Sequence, residues 1–191
     1  MIDKIFIFDD IIPESYQDDI ENRMLGETML PWYIVDDISY SKSELGMMKQ
    51  SNALVHNLKA DNQINSPVFN FLLPLVHLSL ARAGVTYHDT IVSKSFLQFP
   101  SKVSADNNIH TDLPSPHIVC LYYVNDSDGD TVIYNQTNET IRQQDIPTTN
   151  FVEQQRISPR KGRVVVFNGK YYHNSSNPAG TRRCVINFDV I

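Results

Sequence analysis

Asn108-Ile109-His110-Thr111-Asp112, taken with Tyr172-His173 further along, decides how this chain is read. Alternate residues of an extended segment point to one side, so His110 and Asp112 share a face. His173, arriving from another strand, can then complete a metal site. Two imidazoles and one carboxylate leave coordination positions open, unlike the four-ligand sets of structural zinc. His117 is a rival ligand, but it lacks the alternate-position relation to an acid.

A lone His-x-Asp is more often a surface pair, so the surrounding order of segments carries the argument. An apolar strand, Ile118 to Val124, is followed by an acidic turn, Asn125 to Asp130, and then by Thr131-Val132-Ile133-Tyr134. Ile157 to Phe167 leads into His173, and Pro178-Ala179-Gly180-Thr181-Arg182-Arg183 leads into a last strand, Cys184 to Phe188. From about Ile91 to the C-terminus this order resembles the catalytic half of the Fe(II)/2-oxoglutarate-dependent dioxygenases, closest to the prolyl 4-hydroxylase branch.

The resemblance implies His110, Asp112 and His173 as ligands of Fe(II), with 2-oxoglutarate as cosubstrate, O2 as oxidant and ascorbate as the reductant in vitro. Decarboxylation of 2-oxoglutarate to succinate and CO2 would accompany hydroxylation of a substrate C–H bond. A guanidinium suits the distal carboxylate of 2-oxoglutarate because it offers a planar pair of donors. Arg182 and Arg183 compete for that role, since a strand turns only one of them inward. Spacing to His173, Pro178 and Asn187 favours Arg183, whereas a Gly-x-basic spacing from Gly180 matches Arg182. Tyr123 matches the position whose phenol binds the same carboxylate in prolyl hydroxylases; as a strand tyrosine it equally reads as core filling. Two departures concern the substrate pocket: Phe99 stands about where several relatives carry a tyrosine, and the acidic turn has one Gly where the family often has two.

A chain of 191 residues reads as one domain, 1–191, with a helical support region over 1–90 and a catalytic β core over 91–191. At that length a core burying about 70% of the unfolded surface needs no staple. The net charge of −6, with acids and bases mixed and no Lys/Arg cluster, disfavours nucleic acid as a partner. Cys120 and Cys184 lie in apolar strand patterns and read as reduced, buried thiols. No segment approaches the ~20 apolar residues of a membrane span, and Met1 to Asp10 lacks a signal-peptide pattern, so a cytoplasmic location is expected.

Along the chain, Ile5 to Phe8 reads as a short strand. Pro13 opens an amphipathic helix to about Leu25, with Tyr16, Ile20 and Met24 on one face. The aromatic-rich stretch Met29 to Gly46, with a strand at Tyr33 to Val35, offers Trp32, Tyr33 and Tyr40 as substrate-groove candidates or as core plugs. Ser66-Pro67 starts a second helix through Phe69, Leu72, Val76 and Leu80, stopping at Gly84 and kinked or restarted at Pro74. His77 on it reads as packing. Strand patterns then continue to the end, with the connection Gln136 to Asn150 as either a lid or a disordered hairpin tip. Helices first and strands afterwards predict an α+β fold, a double-stranded β-helix (jelly-roll-like) core with the N-terminal helices packed on one sheet.

The function expected from these residues is hydroxylation of a C–H bond by a 2-oxoglutarate-dependent dioxygenase, with a prolyl residue of a peptide or protein as first substrate and a small molecule also open. The alternatives are a nucleic-acid demethylase using the same iron chemistry and a metal-free β-sandwich binding module. Oligomeric state is not legible.

Overall fold

A computed structural model describes residues 2–26, 30–35, 53–101 and 107–191. In chain order the elements are β1 (Phe6–Phe8), α1 (Glu14–Leu25), β2 (Tyr33–Val35), β3 (Ala53–Ala60), β4 (Gln63–Ile64), α2 (Val68–Arg82) and β5 (Thr90–Gln98). There follow β6 (Ile118–Tyr123), β7 (Thr131–Thr137), a 3-10 turn (Gln143–Thr148), β8 (Glu153–Ile157), β9 (Val164–Asn168), β10 (Tyr171–Ser175) and β11 (Arg183–Val190).

Among the described residues these strands form two sheets. The major one is eight-stranded, ordered β1-β9-β6-β11-β5-β3-β2 with β4 on β3, and the minor one is ordered β10-β7-β8. All their pairings are antiparallel. This is the predicted α+β architecture, a double-stranded β-helix with both helices on the outer face of the major sheet.

Both faces of the major sheet are covered, which explains why Ile118–Tyr123 reads as an unbroken apolar run rather than an alternation. On the helix side, Cys120, Tyr122, Cys184, Ile186 and Phe188 pack with Ile20, Met24, Leu72, Val76 and Leu80. On the other side, Val119, Leu121, Tyr123, Phe167 and Val185 meet Ile133 and Ile157 of the minor sheet. Full burial of each such side chain contributes roughly 1.5–3 kcal/mol.

The first ninety residues differ from the expected helical support region. They supply β1 to β4 as well as two helices, and no strand was read at Ala53–Ala60. Seven of its eight positions are buried or partly buried, with Asn57 exposed, and His56, Asn57 and Lys59 interrupt the apolar pattern. Lys59 is nevertheless accommodated, because its ammonium pairs with Asp89 at 2.6 Å.

The helix α2 runs unbroken through Pro74, so it does not restart there. Pro74 and Asn70, whose carbonyl loses its intrahelical donor, both lie on the exposed side, where water can replace the missing bond. Ser66 Oγ accepts from Val68 N–H at 3.3 Å, and Gly84 takes the left-handed conformation (φ +70°) beyond the last turn.

Gln136 to Asn150 is neither an open lid nor a disordered tip. Its 3-10 turn folds over the outer face of the minor sheet, where Ile141, Ile146 and Phe151 pack on Val132, Tyr134 and Tyr172. Tyr172 donates to Ile141 O at 3.0 Å.

Candidate active site

His110 and His173 face each other across an isolated antiparallel bridge that prolongs the minor sheet. Each donates its backbone N–H to the other's carbonyl, at 3.0 and 2.9 Å, which places both rings on the same side with centroids 4.7 Å apart. Asp112 joins them from the alternate position. Its Oδ1 lies 3.7 Å from His110 Nε2 and its Oδ2 lies 3.3 Å from His173 Nε2.

Backbone carbonyls orient both rings. His110 Nδ1 donates to Asn108 O at 2.9 Å, and His173 Nδ1 donates to Tyr171 O at 3.1 Å. A carbonyl can only accept, so the proton of each neutral imidazole sits on Nδ1 and the Nε2 lone pair faces Asp112. Burial pushes the Asp112 carboxyl up, but the positive charge that His173 and His110 carry when protonated pulls it well below its ordinary range. Asp112 Oδ2 is buried without a hydrogen bond. Two aimed lone pairs and an ionised carboxylate fit a divalent metal, and their chemistry suits Fe(II) with open positions.

These groups open into a cavity of about 180 Å³ between the sheets, lined also by Phe96, Leu121, Thr131, Phe167, Val185 and Arg183. Arg183 is 4% exposed, and no ion-pair partner is found for it among the described residues. Burial accordingly pushes its pKa down. Three of its hydrogen bonds are to protein: Nε to Gly129 O, Nη1 to Gln98 Oε1 and Nη2 to Thr131 Oγ1, each 2.8 Å. A guanidinium has five N–H groups, so one remains on each Nη, the pair that a carboxylate engages.

Thr131 is a contributor that sequence reasoning missed. Its Oγ1 accepts from Arg183 and also from Tyr123 O–H at 2.7 Å. With both lone pairs used, its own proton is left to donate into the cavity. Tyr123 itself is fully buried behind this layer and is not among the cavity-lining residues. Its phenol reaches the lining through Thr131.

The acidic turn places Arg183. Asp128 accepts from Gly180 N–H at 2.8 Å, and more weakly from Ala179 and Thr181. Asn125 bonds Arg182 O at 2.8 Å and Cys184 N at 2.9 Å. A Cβ on Gly129 would lie 3.0 Å from Arg183 Cδ and 2.9 Å from Ser176 O, so glycine lets the turn pass over the guanidinium stem.

Of the two arginines, Arg183 faces the cavity while Arg182 is exposed. Trp32 packs against the helix-side core, its ring centroid 6.0 Å from that of His56, and Tyr33 is 58% exposed on an edge strand. Neither lines the cavity, which favours the core-plug reading for Trp32, and Tyr40 lies outside the described residues. His77 is exposed on α2 and bonds Tyr87. Asn187 and Asp189 line the cavity as well, because alternation along β11 turns them to the side of Arg183.

The fold is a double-stranded β-helix similar to that of solved 2-oxoglutarate–Fe(II) oxygenases. A 2-oxoglutarate–Fe(II) family oxidoreductase from Burkholderia pseudomallei superposes with a TM-score of 0.66 at 13% identity, over 97% of this chain and 84% of that one. HygX of Streptomyces hygroscopicus, solved with nickel, 2-oxoglutarate and hygromycin B, gives 0.62 at 13% identity over 97% and 82%. A Trichoplax adhaerens prolyl hydroxylase, solved with a hypoxia inducible factor peptide fragment, gives 0.60 at 14% identity over 98% and 83%. The sequence matches no protein-family model and no curated protein. Among the described residues no helix is long and apolar enough to cross a membrane.

Proposed function

We propose that this chain is an Fe(II)- and 2-oxoglutarate-dependent dioxygenase that hydroxylates a C–H bond, with a prolyl residue of a peptide or protein as the acceptor. One observation carries the reading. The His110–Asp112–His173 cluster and the buried Arg183, which keeps donors to spare, line the same cavity. His110, Asp112 and His173 hold the iron, and the −1 charge of the carboxylate leaves net positive charge to attract a dianionic cosubstrate. Arg183 and the Thr131 hydroxyl hold the distal carboxylate of 2-oxoglutarate. Iron held by the cluster would let O2 oxidise 2-oxoglutarate to succinate and CO2, with the second oxygen atom going to the substrate C–H bond as hydroxyl. Val185, Leu121 and Phe167 keep the cavity wall apolar and exclude water.

The prolyl substrate rests on the sequence resemblance and on the peptide bound by the Trichoplax enzyme. HygX, with its bound aminoglycoside, supports a small-molecule acceptor as the second reading. The net charge of −6 speaks against an anionic polymer. The test is mass spectrometry of proline-containing peptides incubated with the chain, Fe(II), 2-oxoglutarate and ascorbate. A +16 shift on proline with matching succinate, lost in His110→Ala, supports the proposal. Succinate formation stimulated only by a free metabolite or nucleic acid overturns the prolyl assignment, and absence of metal binding returns the chain to a binding module.

A further inference from the structure

Behind the first cluster, away from Arg183, His117, Asp189 and Asp112 bring three ligand atoms to within 4.8 Å of one another. His117 and Asp189 are each 2% exposed. His117 Nδ1 donates to Ser115 O at 2.8 Å, the same lock that holds His110 and His173, so its Nε2 lone pair is again the aimed atom. That atom lies 3.9 Å from Asp189 Oδ1 and has no hydrogen-bond partner. Gly169 makes the ring's position possible, because a Cβ there would come within 2.1 Å of Nε2 and 2.4 Å of both neighbouring ring carbons.

We propose that His117, Asp189 and a carboxylate oxygen of Asp112 form a second divalent-cation site that adjoins the first and shares Asp112 with it. Asp112 and Asp189 bring carboxylate oxygens to within 4.8 Å of each other and of the His117 imidazole. Two buried carboxylates so placed need a proton or a cation between them. A proton would satisfy that pair alone and leave the His117 Nε2 lone pair buried and unbonded. A cation meets all three acceptors, and their spread is close to what bonds of about 2.0–2.2 Å to one ion span. His117 does not line the cavity, so an organic ligand entering from it meets Asp189 and not the imidazole. One imidazole with two carboxylates suits a first-row ion such as Mn2+, Fe2+ or Zn2+.

The proposal rests on the iron-site reading only through the shared Asp112. The chelator-stripped chain is titrated with Mn2+, bound metal is counted after equilibrium dialysis, and the loaded protein is examined by electron paramagnetic resonance. The native chain should bind two Mn2+ ions, exchange-coupled through the bridging carboxylate. His117→Gln and Asp189→Asn should each bind one fewer and show an uncoupled Mn2+ signal, with circular dichroism confirming the fold. His110→Ala should also bind one fewer, by losing the other ion. A native chain that binds a single ion, retained in both His117→Gln and Asp189→Asn, overturns the second site and assigns a shared proton to the carboxyl pair. A single ion lost in His117→Gln but retained in His110→Ala upholds this site and removes the first.

Discussion

Arg183 on β11 and Thr131 on β7 meet across the gap between the two sheets, Nη2 donating to Oγ1 over 2.8 Å. The contact ties the major sheet to the minor one at the end of the cavity away from Asp189. It leaves the guanidinium with donors for one more partner, in a place where burial makes a missing anion costly. A hydrogen bond to a charged group is worth about 1.5–3 kcal/mol. Arg183→Ala should therefore raise the 2-oxoglutarate KM by roughly ten- to hundredfold or more, and Arg182→Ala by less than about twofold. Steady-state kinetics in 2-oxoglutarate decides, and the reverse ranking would transfer the clamp to Arg182.

Thr131→Val keeps the shape but removes the hydroxyl that bonds both Tyr123 and Arg183. Tyr123→Phe removes only the supporting donor. If Thr131 is the group that meets the cosubstrate, the valine variant should lose more 2-oxoglutarate affinity than the phenylalanine variant. Isothermal titration of the Mn2+-loaded chain with 2-oxoglutarate measures both, and equal losses would count against a direct role for the hydroxyl.

Asp128 predicts a pH dependence. Its slight burial raises the carboxyl pKa, but the N–H groups of Gly180, Thr181 and Ala179 lower it further, below the ordinary 3.8. A depressed folded-state pKa means stability that is present above the unfolded value and lost as pH falls through the folded one. Asp128→Asn should thus flatten the acid limb of urea-derived stability below about pH 4. Amide exchange at Ala179 to Cys184 should quicken in the variant, while exchange in α2 should not change.

The two thiols should be inert in the native state. Burial pushes both Cys120 and Cys184 up to about 12. At pH 8 only about one thiol in ten thousand is then ionised, and no path leads a reagent to it. Ellman's reagent should find essentially no free thiol in the folded chain and both after denaturation. Prompt labelling of the native protein would mean that one strand face is open to solvent.

Local spacing carried much of this protein. The alternation of His110 and Asp112, the face shared by Arg183, Val185, Asn187 and Asp189, and the amphipathic period of α1 all follow from covalent geometry, so they are readable without knowing any partner. The run of strands from Thr90 onward was legible too, whereas the first ninety residues interleave four strands with the two helices. Ala53–Ala60 escaped because a strand buried on both sides, with polar residues accepted by Pro31 O and Asp89, shows no clean period.

Only the tertiary structure decided which donors and acceptors meet. His110 and His173 are far apart in sequence and are brought together by a bridge between segments, and Thr131 becomes part of the site because β7 lies across from β11. The alternation of a strand says that Arg182 and Arg183 face opposite ways, and packing two sheets together says which way is in. The same packing buried the Tyr123 phenol against Thr131 and set His117 behind Asp112, because burial requires each polar group to find a partner and the partners come from distant strands.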